Sequence, residues 1–192
     1  MKKSKNITWH LHATVPVSKV NGPGKRFVIW VQGCSLDCPG CFNPQSHPQQ
    51  KGYQTTPENV LNQIQNIQDS IEGITISGGE PFQQILPLEK ICRLVKQNSS
   101  LGVILFTGYS KPELDRMPKY SSIFPYTDLI ISGRFMLNQR IAKGLIGSAN
   151  KEFIFNGTRY HKSQFENIPE SEVLIQADGE IKISGINPIQ WK

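Results

Sequence analysis

The sequence predicts an α/β fold: a partial, open, parallel β/α barrel followed by a small C-terminal β-hairpin. Three observations carry this reading. Between residues 27 and 132, apolar strand-like runs alternate with segments of helical periodicity, which implies right-handed crossovers and a parallel sheet. Each of the four runs is followed at once by glycine or polar residues, at the carboxyl edge where parallel sheets gather their ligands. The chain has 192 residues, too few for a closed eight-stranded barrel of about 250.

Residues 7–20 alternate loosely and suit an edge strand or extended arm, and Val20-Asn21-Gly22-Pro23-Gly24 is a turn by composition. Phe27 to Gln32 is a nearly continuous apolar run bounded by Gly33, the pattern of a strand covered on both faces, with Phe27 and Trp30 in its core. Residues 42–54 read as loop. Thr55 or Thr56 then caps a helix with Pro57 in its first turn and Glu58 near the positive end of the dipole. Val60, Leu61, Ile64, Ile67 and Ile71 form its inward face, and Gly73 closes it.

Ile74 to Ser77 is the second parallel strand. A helix over about 83–98 places Leu88, Ile91, Cys92 and Val95 on one face. Val103 to Phe106 is the third strand, 111–120 a short helix, and Asp128 to Ser132 the fourth strand. After a polar stretch over 136–151 comes a strand at Phe153 to Phe155. Val173 to Ala177, Asp178-Gly179 and Glu180 to Ser184 then read as a hairpin with a two-residue turn. The expected division is an N-terminal arm over 1–20, a core domain over 21–152 and a C-terminal β extension over 153–192.

Composition narrows the function. A chain with 38% hydrophobic and 19% charged residues and no tandem repeat is globular. The net charge is +6, but the basic residues are scattered rather than gathered into a stripe, which argues against nucleic-acid binding. No apolar run approaches the roughly 20 residues of a membrane span. No apolar segment of a signal peptide follows the basic start Met1-Lys2-Lys3-Ser4-Lys5, so a cytoplasmic location is expected.

Three of the four cysteines, Cys34, Cys38 and Cys41, fall in one C-x₃-C-x₂-C group directly after the first parallel strand. Three thiolates can hold three irons of a [4Fe–4S] cube, leaving the fourth iron free for another ligand. A zinc site completed by His47 or Cys92 is the alternative, although structural zinc generally takes two such pairs. A disulfide or thiol-redox pair would leave Cys34 surplus. Cys92 suits buried packing, and His10, His12 and His161 lie far from any motif.

With this spacing, the chain resembles the radical S-adenosylmethionine (SAM) enzymes. More narrowly, Asn21-Gly22-Pro23-Gly24 and Cys38-Pro39-Gly40-Cys41-Phe42-Asn43 resemble the small activases of glycyl radical enzymes, above all those acting on anaerobic ribonucleotide reductase. The resemblance runs over about residues 20–151. It includes Gly78-Gly79-Glu80-Pro81, Thr107-Gly108-Tyr109, the segment from Asp128 to Gly133-Arg134, and Gly147-Ser148-Ala149-Asn150. Ser132 stands where these activases usually have Asp, and Ile146 where an Arg usually precedes the Gly-Ser pair.

The resemblance implies a barrel of the radical SAM type and one [4Fe–4S] cluster on Cys34, Cys38 and Cys41. It also implies SAM held on the fourth iron, with Gly40, Cys41, Phe42, Gly78, Gly79, Glu80, Thr107, Tyr109 and Ser132 around it. A low-potential reductant such as flavodoxin or ferredoxin would supply the electron. SAM cleavage would yield a 5′-deoxyadenosyl radical, which abstracts hydrogen from a glycine of a partner enzyme. The cluster and SAM carry this chemistry, so no side chain is assigned a catalytic role. Two other readings remain open: a radical SAM enzyme acting directly on a peptide or small molecule, and a non-catalytic Fe–S electron carrier.

Overall fold

The computed structural model describes residues 7–175, 178–179 and 181–186. In chain order its strands and helices are β1 (Trp9–Ser18), β2 (Arg26–Val31), β3 (Tyr53–Thr55), α1 (Pro57–Gln65), β4 (Gly73–Gly78), α2 (Ile85–Asn98), β5 (Gly102–Phe106), α3 (Lys111–Asp115), α4 (Tyr120–Ile123), β6 (Leu129–Ser132), β7 (Arg140–Lys143), β8 (Ile146–Ser148), β9 (Glu152–Phe155), β10 (Ser171–Ile175) and β11 (Ile181–Gly185).

One sheet of seven strands, in the order β3-β1-β2-β4-β5-β6-β9, organises the chain. Its centre, β2-β4-β5-β6, is parallel, in the in-line register Arg26↔Gly73↔Gly102 at one end. The parallel core expected from the alternating pattern is therefore present. Three antiparallel strands flank it: β1 and β3 on one side, β9 on the other. The order is linear, with β3 and β9 at its edges, and the described pairings do not close a barrel.

The central strands read as continuous apolar runs because both faces are covered. Val103, Leu105 and Ile130 pack with Val60 and Ile64 of α1 and Leu88, Ile91, Cys92 and Val95 of α2. On the other face, Ile104, Leu129 and Ile131 meet Leu145, Tyr160 and Phe165. There the cover is an aromatic cluster instead of an α-helix, with Phe165, from a 3₁₀ turn over Lys162–Phe165, edge-on to Phe153 at 5.2 Å and to Tyr160 at 6.0 Å. Each fully buried aliphatic side chain contributes about 1.5–3 kcal/mol.

Several local expectations need correction. The loosely alternating arm is the interior strand β1, because Tyr53–Thr55, polar and exposed in a segment of loop composition, pairs outside it. Helix α1 starts as expected, with the Thr56 side chain accepting from the Asn59 amide, but ends at Gln65. Ile67 and Ile71 instead flank a 3₁₀ turn over Gln68–Ser70 while still packing on the core. The polar stretch 136–151 contains the small hairpin β7–β8. The C-terminal hairpin exists, with Ile175↔Ile181 its last pair among the described residues. Ala177 and Glu180, expected in those strands, lie outside the described residues.

Candidate functional site

The cysteine group lies on the loop that leaves the carboxyl end of β2. The loop is fixed at its root: the Gly33 amide donates to the Ser46 carbonyl at 2.8 Å, and the Cys34 amide to the His47 carbonyl at 3.1 Å. Gln32, buried at the end of the strand, donates to the carbonyls of Gln45 and Pro48 and contacts His12 at 3.0 Å. A turn closes the loop, with the Cys41 amide donating to the Cys38 carbonyl at 3.1 Å.

The segment after β4 fastens this loop to the sheet. Gly79 and Glu80 donate their amides to the carbonyls of Val31 and Gly33, at 2.8 and 2.9 Å. A β-carbon on Gly79 would fall 2.3 Å from the Gly33 oxygen, so the glycine pair is required by a backbone crossing. Downstream, Gln83 accepts from the Ser35 amide and donates to its hydroxyl, while Gln84 donates to the carbonyls of Gln32 and His10.

Glu80 is buried and ties β4 to the end of β5. Its Oε1 accepts from the Phe82 amide at 3.0 Å and the Thr107 hydroxyl at 2.8 Å; Oε2 accepts from the Gly108 amide at 2.7 Å. A carboxylate offers about four acceptor positions, so one on Oε2 remains. Burial pushes the Glu80 carboxyl up from its ordinary 4.5 to about 7, against the opposing pull of these three donors.

Arg134 forks onto Glu113 at 2.7 and 2.9 Å, donates to the Gly108 carbonyl at 2.9 Å, and lies over the Tyr109 ring. The fork and the Ser110 cap hold the Glu113 carboxyl down at about 2. The Gly147-to-Asn150 motif also has structural work. The Ser148 hydroxyl accepts from the Met136 amide and donates to Asn150, which in turn donates to the Arg134 carbonyl. Asp128 stands at the far end of β6, bound to Lys96 and the Val103 amide.

These strand ends enclose a cavity of about 460 Å³. Of the residues expected from the sequence, Cys34, Cys38, Cys41, Phe42, Gly78, Gly79, Glu80 and Thr107 line it together. Gly40 instead packs beside Leu137, Tyr109 is turned to Gln83 and Arg134, and Ser132 is buried outside the lining. Trp30, expected in the core, lines the cavity; Phe27 is core. His47 also lines it, whereas Cys92 is fully buried in the main core, its thiol pushed up by burial to about 12.

Sequence reasoning missed Lys151, Phe135 and the hairpin segment from Lys182 to Ile186, all of which reach this cavity. Phe135 stands edge-on to Phe42 at 5.5 Å and makes an apolar wall with it. Only the Phe42–Phe135 pair had a local signal, an aromatic beside each recognised motif.

The donor set suits an iron–sulfur cluster. Burial raises the Cys34 and Cys41 thiols, so in the protein alone they favour the neutral form, and a cationic metal is what would hold them as thiolates. Among the described residues no three ligand-type side chains are set to grip a single ion. A cube places each of its cysteines on a separate iron, which matches three thiols distributed around one cavity.

Comparison with known proteins agrees with this chemistry. Residues 20–154 match the family model described as "4Fe-4S single cluster domain". The anaerobic ribonucleoside-triphosphate reductase-activating protein of Pasteurella multocida is 30% identical, across 76% of this chain and 96% of that protein. Its Vibrio cholerae counterpart is 28% identical, across 67% of this chain and 85% of its own. The pyruvate formate-lyase-activating enzyme of Staphylococcus epidermidis is 31% identical over 64% of this chain, which spans about half (51%) of that enzyme.

Proposed function

The chain belongs to the 4Fe-4S single cluster domain family, within its radical SAM activase group, and on that premise we propose that it activates a glycyl radical enzyme by hydrogen abstraction from a glycine. The observation that carries this is the meeting of C-x₃-C-x₂-C with Gly78-Gly79-Glu80 and Thr107 around one cavity at the carboxyl edge of a parallel sheet. The sheet is read as a partial barrel of the radical SAM type. Its core is taken as 21–152, with β1 and β9 hydrogen-bonded into the same sheet from the segments on either side.

Cys34, Cys38 and Cys41 would hold one [4Fe–4S] cluster, and Glu80, Thr107 and the glycine pair would form the SAM side of the cavity. When bound, the cluster and SAM supply one-electron reductive cleavage and hydrogen-atom abstraction. The protein's own contribution is positional. Gln83 and Gln84 tie Ser35 and Gln32, at the root of the cysteine loop, to the segment after β4. The remaining acceptor position of Glu80 suits the amino group of an amino acid, which would also favour the ionised carboxylate. Phe42 and Phe135 offer an apolar face for a purine.

Around the cysteine loop, Phe42, Met136 and Leu137 are exposed, an apolar rim that suits a protein partner. The partner resembles anaerobic ribonucleotide reductase, by analogy with the relatives, and flavodoxin or ferredoxin would serve as reductant. Among the described residues no helix is long and apolar enough to cross a membrane.

The test is anaerobic. Reconstituted protein is reduced with dithionite and given SAM, and 5′-deoxyadenosine and methionine are assayed with Cys38→Ala as control. Both products are expected from the native chain, with about four irons per chain, and neither from the variant. A cluster that leaves SAM intact would sink the proposal.

A further inference from the structure

Lys151 is the residue of this cavity that neither the motifs nor the core absorbs. It stands just before β9, where the loop closed by Ser148 and Asn150 rejoins the sheet, and its side chain turns inward to line the cavity with all three cysteines. Its ammonium is partly buried and donates to the Gly133 carbonyl at the end of β6. Among the described residues it forms no ion pair with any carboxylate.

Its neighbour Arg134 is different, because the Glu113 fork already balances that charge. A partly buried ammonium held by a neutral carbonyl needs a negative partner nearby. Burial works against the charge on Lys151; Cys38 first, then Glu80 and Cys41, favour it. Glu80 has three donors of its own. Those three donors are neutral, so Glu80 and the cysteines are both negative groups that act on Lys151; of these, only the cysteines take on further negative charge when a cluster is bound and reduced.

We propose that Lys151 is the counter-charge of the cluster: its ammonium, in the cavity that the three cysteines also line, stabilises the reduced cluster and raises its midpoint potential. This rests on the three cysteines holding the cluster. The step is the gain of one electron by the cluster from an external one-electron donor, with no bond made or broken in the protein. A fixed positive charge near a site that becomes more negative favours the reduced form.

The experiment is a dithionite potentiometric titration followed by electron paramagnetic resonance, without SAM, on reconstituted native protein, Lys151→Met and Lys151→Arg. The Met variant is expected to lower the one-electron equilibrium at least threefold, about 30 mV, and the Arg variant to stay near the native value. Equal potentials for native and Met proteins with full iron content would overturn the proposal while leaving the cluster assignment intact. So would an Arg variant that falls as far as Met, since loss of packing and not of charge would then be responsible. Lys151→Gln is read in the same way if the Met variant does not retain its iron. Native protein that takes up no cluster would defeat both readings, and iron analysis alone identifies that case. A Met variant with unchanged potential but weakened SAM binding would move Lys151 to the ligand and overturn its role as counter-charge.

Discussion

The four parallel strands have two ends, and the protein treats them in opposite ways. At the amino end, Arg26 opens β2 fully buried, and all five of its donors are used: Thr75 Oγ1 at 2.7 Å, the Tyr160 hydroxyl at 2.8 Å, and the carbonyls of Pro23, Gly102 and Ile74. A β-carbon on Gly102 would come within 2.1 Å of the Tyr160 hydroxyl, so the slot exists only because a glycine starts β5. Beside it, Asp128 receives Lys96 and the Val103 amide. At the carboxyl end the groups are left with capacity to spare: three free thiols, a Lys151 with no carboxylate partner among the described residues, and a free position on Glu80. Polar groups that satisfy one another hold a fold together, and those left incomplete at the other end of the same strands are available to a ligand.

The largest effect tests the closed end. Arg26→Ala leaves Thr75, Tyr160 and two buried carbonyls without their donor, and is expected to destabilise the fold by about 3–5 kcal/mol. Urea unfolding of the cluster-free protein measures it. The contrast is with Cys38→Ala, which should abolish iron uptake and leave that unfolding curve nearly unmoved. If Arg26→Ala, under conditions where it is still folded, also lost the cluster, the two ends would be coupled and the division would fail.

At the open end the expected effect is smaller and depends on pH. The folded protein holds the Glu80 proton more tightly than the unfolded chain, because its carboxyl titrates at about 7 and not at the ordinary 4.5. Its contribution is therefore fully present below 4.5 and is lost as pH rises through about 7. The gap corresponds to about 3 kcal/mol. Unfolding of the cluster-free protein at pH 5 and pH 8 should show this fall, and Glu80→Gln, which cannot ionise, should flatten it. An unchanged slope in the variant would mean that another group sets the pH response.

The two ends also differ in how far the sequence reveals them. The four parallel strands were legible because burial on both faces writes an unbroken apolar run, as in Val103 to Phe106. The cysteine group was legible because its ligands are contiguous. Tyr53–Thr55 and β7 carried no such signal: they are short and largely exposed, and their pairing partners define them. Trp30 was misplaced because β2 ends at the cavity, where a large apolar side chain lines a site as readily as a core. The Arg26 slot and Lys151 were invisible for a common reason. Each depends on residues distant in the chain, Tyr160 for one and the cysteines for the other, and neither leaves a local pattern.

Ser132 gives the smallest effect and the sharpest discrimination. It closes β6 at the open end, fully buried, and its hydroxyl has no hydrogen-bond partner among the described residues. At the amino end every donor of Arg26 is matched, so removing a polar group there exposes others; here removal exposes none. An unsatisfied buried hydroxyl carries a desolvation penalty of about 1–3 kcal/mol, partly offset by the packing its atom provides. Ser132→Ala is accordingly expected to leave the cluster-free protein unchanged or to stabilise it by up to about 1 kcal/mol, read by the urea midpoint. Since Ser132 does not line the cavity, SAM affinity of the reconstituted variant, measured by calorimetry, should match that of the native protein. A destabilised variant would mean that the hydroxyl has a partner after all. Stability unchanged with SAM binding weakened would show that the strand end shifts to present Ser132 to the ligand, making it part of the open end's unused capacity.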